Sequence, residues 1–295
     1  MTQSLTCLVA GASGKLGRRV VELLLEREAG RVVAASRKPE ALADLEARGA
    51  IVRKADFDDP STLPAAFADV DRALIISTDA VGRRTQQHIA AIDAAVRAGV
   101  RHLAYTSVTN AEAWDFVVGR EHYLTERAME ASGAAWTSLR NNIYTEMLLV
   151  SLPPAIATGR LVAAAGLGGA GFVTREDCAR AAAAVLASET PPSGAIDITG
   201  PEVVTYADLA GTASELTGTP VEYVRVTPDE ARGALTAAGL PPGFADLLVA
   251  FDTAIADGIL AVASPAVQQL TGRRPTSVAA FLTAHRDALV AAHAH

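Results

Sequence analysis

The chain has 295 residues, 50% of them hydrophobic, 20% charged and 5% aromatic, which excludes a disordered chain and sets a soft prior of about two domains. Its formal net charge of −7, with no basic stripe, excludes a protein built on nucleic-acid phosphate contacts. No apolar run reaches the length of a membrane helix, and the start, MTQSLTCLVAGASG, has no basic region ahead of an apolar one, so no membrane span and no signal peptide are read and a cytoplasmic location is expected.

The first half alternates short apolar runs with longer helical patterns. Strands are predicted over 5–10, 31–35, 50–54, 72–77, 102–107 and 135–139, and helices over 15–28, 40–48, 62–67, 84–98 and 121–132. Gly30, Gly49, Gly99 and Gly133 each fall where a helix gives way to a strand, the place of a left-handed C-cap. Strand and helix in alternation imply parallel strands with right-handed crossovers, and runs apolar on both faces imply a sheet covered on both sides. Cys7, inside the first run, reads as a small buried side chain. With Cys178 far away, it offers neither metal-ligand spacing nor a disulfide framework.

Residues 7–17 read as a strand, a G-x-x-G-x-x-G turn and a helix start. Gly11 permits the tight turn, Gly14 removes a side chain where a pyrophosphate would approach the backbone, and Gly17 lets the helix pack closely on the sheet. Ala12, Ser13, Lys15 and Leu16 complete the turn and the first helical residues, whose free N–H groups and dipole suit phosphate. The first gap is one residue longer than in the commoner G-x-G-x-x-G, and position after the first strand strengthens the signal. The second strand ends in Ser36, Arg37 and Lys38, where an NAD-specific site places a carboxylate for the ribose 2′-hydroxyl. Two cations and a hydroxyl fit a 2′-phosphate instead, Arg37 by a bidentate fork, so NADP(H) is the expected cofactor. A solvated turn ahead of Pro39 is the plainer account of the same residues. Asp56, past the third strand, is a candidate for the adenine amino group and equally a cap for the next helix.

After about residue 150 the rhythm changes. Pro153-Pro154, the glycine-rich stretch 166–171 and Pro191-Pro192 punctuate the chain; helices are predicted over 175–187, 206–216, 229–238 and 278–292, and a strand over 195–199. The expected architecture is α/β. A Rossmann-type doubly wound parallel sheet occupies 1–150, and a smaller mixed lobe over 151–295 completes the sheet and caps the ligand cleft.

These segments in this order resemble the NmrA-like branch of the atypical short-chain dehydrogenase/reductases, in particular type 2 quinone oxidoreductases and triphenylmethane reductases. The resemblance is carried by GASGKLG at 11–17, SRK at 36–38, IISTD at 75–79 with Gln87-His88, and HLAYTS at 102–107. Glu121-His122 with Thr125-Glu126, LRNNIY at 139–144 and VTRED at 173–177 extend it. It implies NADP(H) and a small-molecule hydride acceptor such as a quinone. It also implies that Ile76, Ser77 and Thr78 line the cofactor and that Tyr105, Thr106 and Ser107 lie beneath the nicotinamide ribose. Asn141, Asn142 and Tyr144 are expected near the nicotinamide and substrate, and Arg175 is expected to reach the cofactor from the second lobe. All but Arg175 follow predicted strand ends, where ligands of open parallel sheets bind; turn chemistry alone also accounts for the two asparagines. Tyr144, Phe172 and Phe251 are candidate walls for the acceptor.

Typical short-chain reductases carry Tyr-x-x-x-Lys, a pair that shares a helix face so that the cation lowers the tyrosine pKa. Here the helix offers Tyr123 and Arg127. With Asn141 these are the candidates for the reacting centre, but a quinone needs no strong acid, and Tyr123 packed at the helix surface with Arg127 paired to Glu130 or Glu126 is the plainer account. His122 reads as a polar helix residue, and His285, His293 and His295 have no carboxylate or cysteine set around them, so no metal is expected. Two further functions are open: a non-catalytic NADP(H)-sensing regulator, and a biosynthetic ketoreductase using Tyr123 as acid.

Overall fold

The computed structural model describes residues 5–290. Strand β1 (Thr6–Ala10) is followed by α1 (Lys15–Glu26), β2 (Arg31–Ser36), α2 (Ala43–Ala47), β3 (Ile51–Lys54), α3 (Leu63–Phe67), β4 (Arg72–Ile75), α4 (Arg84–Arg97), β5 (His102–Val108), α5 (Val117–Ala131) and β6 (Ala135–Asn141). The second half supplies α6 (Leu148–Thr158), β7 (Arg160–Ala163), β8 (Gly169–Ala170), α7 (Arg175–Ala187), β9 (Gly194–Ile198) and β10 (Val204–Thr205). It ends with α8 (Tyr206–Thr217), β11 (Glu222–Arg225), α9 (Pro228–Ala237), α10 (Pro242–Ala256), α11 (Ala266–Thr271), α12 (Val278–Ala284) and α13 (Arg286–Val290).

The chain divides into two compact units. The first comprises Met1–Asn141, Arg175–Ile198 and Ala266–Arg273; the second comprises Asn142–Thr174, Thr199–Pro265 and Arg274–His295. The boundary expected at residue 150 falls inside α6. The first unit holds a seven-stranded sheet in the order β3-β2-β1-β4-β5-β6-β9, parallel throughout. The doubly wound expectation therefore holds. The order reverses between β1 and β4, and the crevice beyond the carboxyl ends of those two strands is where such sheets bind ligands.

Alternation along each strand builds two cores. Leu8, Ala10, Val33, Ala35, Ala73, Ile75, Leu103 and Tyr105 pack with Leu63 and Phe67 of α3, Ala91, Ile92 and Ala95 of α4, and Met129 of α5. The intervening residues face α1 and α7. The Cys7 thiol reaches the Leu186 carbonyl at 3.5 Å, and Arg19 pairs with Glu176 at 2.8 Å across the two helices. Both faces are covered, so the strands carry no polar face. Burial pushes the Cys7 thiol up to about 11, which keeps it protonated and inert. Among the described residues no helix is long and apolar enough to cross a membrane.

In the second unit β11 pairs with β7 in parallel and β10 with β8 antiparallel. Ala164, Ala231 and Val249 form a small core there. Tyr206 donates to Asp252 at 3.0 Å, and Asp252 also accepts the Ala164 N–H at 2.8 Å.

Several boundaries differ from expectation for identifiable reasons. Pro153-Pro154, read as a break, lies inside α6. The prolines remove the N–H groups that the carbonyls of Leu149 and Val150 would accept, and Val150 is largely exposed. Helix α5 begins at Val117, four residues before the expected start, and takes in Gly119 as a packing position: a Cβ there would sit 2.1 Å from the Trp114 Cβ. The helix expected over 40–48 is a 3₁₀ turn (Pro39–Leu42) followed by α2. The one expected over 278–292 breaks at His285, and its last two residues lie outside the described residues, as do His293 and His295. Helices α6, α10 and α11 have no counterpart among the predicted elements.

Two glycines separate propensity from packing. Gly211 in α8 has nothing within 4 Å of its absent Cβ, whereas Gly119 faces Trp114. Gly211→Ala should stabilise by up to about 1 kcal/mol, the helix-propensity difference. Gly119→Ala should destabilise by about 1–3 kcal/mol through overpacking. Thermal unfolding of the two variants checks this; a gain in both would mean that propensity decides at Gly119.

Candidate functional site

The glycine turn caps the carboxyl end of β1. Gly11 has φ +91°, and the N–H groups of Gly11 and Ala12 both donate to the Ala35 carbonyl at 3.0 Å, hooking the turn onto the end of β2. Gly17 is fixed by packing, since a Cβ there would lie 2.3 Å from the Gly11 carbonyl oxygen and 2.9 Å from Ile76 Cδ1. Gly14 is different. It sits at φ −78°, ψ 161° at the N-cap of α1, and a Cβ would meet only the Gly11 oxygen, at 3.4 Å. Neither backbone strain nor packing requires glycine there. The first turn of α1 carries no acidic residue and no side-chain cap, so its N–H end is open to an anion. Lys15 is exposed and Leu16 buried.

The same corner holds the end of β2. Ser36 donates to Ser13 Oγ at 2.8 Å and accepts the Lys38 N–H at 3.1 Å, joining the two loops. Arg37 and Lys38 are exposed and take part in no ion pair among the described residues. Asp56 turns back to accept the Asp58 N–H at 3.0 Å; the cap of the following 3₁₀ turn is Asp59, which accepts from Ser61.

At the exit of β4, Ile76 packs against the glycine turn, and a Cβ on Gly11 would touch it at 3.2 Å. The next two N–H groups are both taken. Ser77 donates to Thr106 Oγ1 at 2.9 Å, and Thr78 donates to His88 Nε2 at 3.1 Å. Thr78 Oγ1 donates to Gln87 at 2.6 Å. This segment therefore presents side chains and carbonyls, not N–H groups, to a ligand.

On β5 the structure corrects one expectation. Tyr105 does not lie at the ligand crevice: its side chain is wholly buried on the α4–α5 face, with the hydroxyl 2.8 Å from His122 Nδ1 and 3.3 Å from His88 Nδ1. Consecutive strand residues point to opposite faces, so Tyr105 and Thr106 cannot share one. Ser107 is buried near the end of the strand, and its Oγ has no hydrogen-bond partner. Asn141 closes β6 opposite Val108 of β5 and Ile198 of β9, and is buried.

The acid candidates lie elsewhere. Helix α5 buries Glu121, His122, Thr125 and Glu126, which leaves Tyr123 on its outer face, 38% exposed, and Arg127 paired with Glu130. His122, read as a polar helix residue, is buried. Glu126 instead holds Arg140 of β6 at 2.7 Å, with Ser138 donating to it at 2.6 Å and Glu112 adding a second carboxylate to Arg140 at 2.9 Å.

Asn142 and Tyr144 belong to the second unit. The Asn142 amide is committed to backbone, donating to Leu260 O at 3.0 Å and accepting the Ile143 N–H at 2.9 Å, so turn chemistry explains it. Tyr144 bridges to Val173, and Phe172 of the same unit is buried. Arg175 opens α7 and lies in the first unit, not in the second lobe as expected. Among the described residues no group of three or more His, Cys, Asp or Glu is placed to hold a metal.

Sequence reading does not join the polar residues of α4 and α5 into a unit, although Arg84 with His88, and Glu121 with Thr125, carry the i, i+4 spacing that puts each pair on one face. Burial, and secondarily the Arg84 charge, pushes His88 down to about 3; His102, bonded to Thr137 at 2.8 Å, is pushed down to about 4 by burial and Arg72. Both histidines are neutral when folded and ordinary when unfolded. Their stabilising contribution is intact above about pH 6.5 and declines as pH falls towards 4, because the unfolded chain takes up protons that the folded one refuses. The Tm should fall across that window, and His102→Gln should flatten part of the slope; an unchanged slope would assign the decline to other groups.

The sequence matches the NAD(P)H-binding family over residues 11–189. It is 35% identical over 272 residues to quinone oxidoreductase 2 of Escherichia coli (strain K12), spanning 92% of this chain and 95% of that protein. It is 30% identical over 286 residues to NAD(P)H azoreductase of Xenophilus azovorans, spanning 97% and 99%. The crystal structure of the Escherichia coli NADPH-dependent quinone oxidoreductase complexed with NADPH is similar at a TM-score of 0.90 and 34% identity, over 95% of this chain and 99% of that one. Citrobacter sp. triphenylmethane reductase complexed with NADP(H) is similar at a TM-score of 0.88 and 31% identity, over 96% and 100%. With the glycine turn at the head of a seven-stranded parallel sheet, these likenesses give a family: the chain belongs to the NAD(P)H-binding family, among its NmrA-like oxidoreductases.

Proposed function

We propose that the protein is an NADPH-dependent oxidoreductase that delivers hydride to a quinone-like or other conjugated small molecule. The observation that carries this reading is Gly14: the fold leaves room for a side chain there, and a pyrophosphate resting on the backbone is the reason to have none. The uncapped, acid-free start of α1 suits the same group. The N–H groups of Ser13, Lys15 and Leu16 would hold the pyrophosphate. Arg37, with Lys38, would take the 2′-phosphate at a strand end that offers no carboxylate to repel it. Ser77 and Thr106, bonded to each other, and the buried Ser107 hydroxyl would face the nicotinamide half, with Arg175 at the start of α7. Asp56 remains available to the adenine through its second oxygen.

When bound, NADPH supplies the hydride from C4 of its nicotinamide ring. The chain contributes orientation and the exclusion of water. Quinones, triphenylmethane dyes and azo compounds, acceptors named for the relatives, share an extended electron-poor π system. Such acceptors need no strong acid from the enzyme, and the pair expected to supply one, Tyr123 and Arg127, sits on the outer face of α5. A carbonyl reductase would need an acid worth about 10²–10⁴-fold in rate. Asn141 remains the candidate of the first unit for contact with the acceptor.

Two measurements test the reading. In a fluorescence titration the wild type should bind NADPH more tightly than NADH, Arg37→Ala should lose about 1.5–3 kcal/mol of the NADPH affinity, and Gly14→Val should lose binding with its circular dichroism intact. Equal wild-type affinities for the two cofactors would remove the 2′-phosphate assignment, and normal binding by Gly14→Val would remove the phosphate site. In an NADPH-consumption screen over quinones, dyes and conjugated ketones, Tyr123→Phe should stay within a few-fold of wild type. A collapse of its rate would make Tyr123 the acid, and tight NADPH binding without turnover of any acceptor would point to a regulatory sensor.

A further inference from the structure

Six polar side chains behind the β4 exit have no part in the steps above: Arg84 and His88 of α4, Tyr105 of β5, and Glu121, His122 and Thr125 of α5. Each is at most 6% exposed. Polar groups this deep are costly unless all are paired, and a neutral core of the same volume would be simpler. Among the described residues, their hydrogen bonds to backbone outside the set go to one segment. The Glu121 carboxylate accepts the N–H groups of Gly82 at 3.1 Å and Arg84 at 3.2 Å, and His88 accepts the N–H of Thr78 at 3.1 Å. Together they hold the segment from the β4 exit to the start of α4 at both ends.

The proton positions follow from groups that can only donate. The Thr78 N–H points at His88 Nε2, so that nitrogen is bare and the proton of the neutral ring is on Nδ1, 3.0 Å from Thr125 Oγ1 and 3.3 Å from the Tyr105 hydroxyl. Arg84 points an N–H at His122 Nε2 from 3.0 Å, so His122 also carries its proton on Nδ1 and donates it to the Tyr105 oxygen at 2.8 Å. Thr125 donates to the Glu121 carbonyl at 2.8 Å. Each of the two rings is thereby left one tautomer. With the proton on Nε2 instead, His88 would meet the Thr78 N–H donor to donor and push the segment away.

We propose that His88 is a positioning residue for the cofactor: its bare Nε2 fixes Ile76, Ser77 and Thr78 at the ligand crevice by accepting the Thr78 N–H, with its proton held on Nδ1 towards Thr125. This rests on the NADPH reading above. His88→Gln is the conservative rescue, because a glutamine places an acceptor where Nε2 stands, whereas an asparagine places one only where Nδ1 stands.

The test is NADPH affinity in His88→Gln, His88→Asn and His88→Leu, at a temperature where circular dichroism shows all three folded. The leucine and asparagine variants should weaken NADPH binding about tenfold, the size of effect expected of one unpaired buried N–H. They should raise KM for NADPH while leaving kcat within about threefold, and the glutamine variant should keep wild-type affinity. A merely structural histidine would lower the Tm in all three without moving KM, and that result overturns the proposal, as does a glutamine variant that behaves like leucine. An independent reading is histidine ¹⁵N NMR of the wild type at neutral pH, where both rings should show the Nδ1–H tautomer; an Nε2–H on His88 overturns the proposal whatever the variants do. A wild type that binds NADPH but reduces no acceptor removes the oxidoreductase reading alone, since the same order of variants is then read in Kd. A wild type that binds no NADPH removes both.

Discussion

The close approach of α1 to the turn that precedes it is the constraint on which the first unit depends. Gly17 has no room for a single methyl group between the Gly11 carbonyl and Ile76. That contact brings the amino end of α1 over the carboxyl ends of β1 and β4, where the strand order reverses. Once it is made, the phosphate-facing N–H groups, the Ser13–Ser36 link to β2 and the position of Ile76 all follow from the same few ångströms of backbone. A bulkier helix start would shift all of them together.

The second constraint is the double burial of the sheet. Strands covered on both faces leave polar chemistry to the strand exits, and the candidate cofactor residues do gather there. The exception is the polar set beneath α4 and α5. Arg84 and Glu121 form a buried ion pair at 3.1 Å, a weak source of net stability by itself. Its direction accounts for it better than its energy does: the Arg84 donor leaves His122 a single allowed tautomer, as the Thr78 N–H does for His88. The same helix carries Glu126, paired with Arg140 of β6, one turn from His122, bonded to Tyr105 of β5, so α5 is tied to two strands of the sheet.

A candidate site whose tyrosine faces outward is chemically coherent with the proposed reaction. A hydride acceptor with an extended π system disperses the incoming charge and takes its proton from solvent. Selection then falls on the orientation of the cofactor and on the shape of the acceptor slot, not on a tuned tyrosine. The outward Tyr123 and the rigid β4 exit fit that division of labour.

The sequence by itself determined the alternation of strands and helices, the glycine turn and its place after the first strand, and the basic end of β2. These are local matters: side-chain period, backbone freedom and charge at a turn are written in neighbouring residues. It also marked Gln87-His88 and Glu121-His122 as family residues without showing what they touch. Tertiary structure alone decided which face each periodic residue took. Period two says that Tyr105 and Thr106 oppose one another, but only the packing of α4 and α5 against the sheet says that Tyr105 is the buried one. The same holds for Tyr123, turned outward because Glu121, His122 and Thr125 claim the inner face of α5, and for Asn142, whose amide is used by Leu260 more than a hundred residues away. A strand over 195–199 and a second half that completes the sheet were legible, but not that Gly194–Ile198 would join β6 in parallel across a long excursion of chain. Pairings at that range carry no local signature, because they are set by which surfaces remain to be covered once the nearer elements have packed.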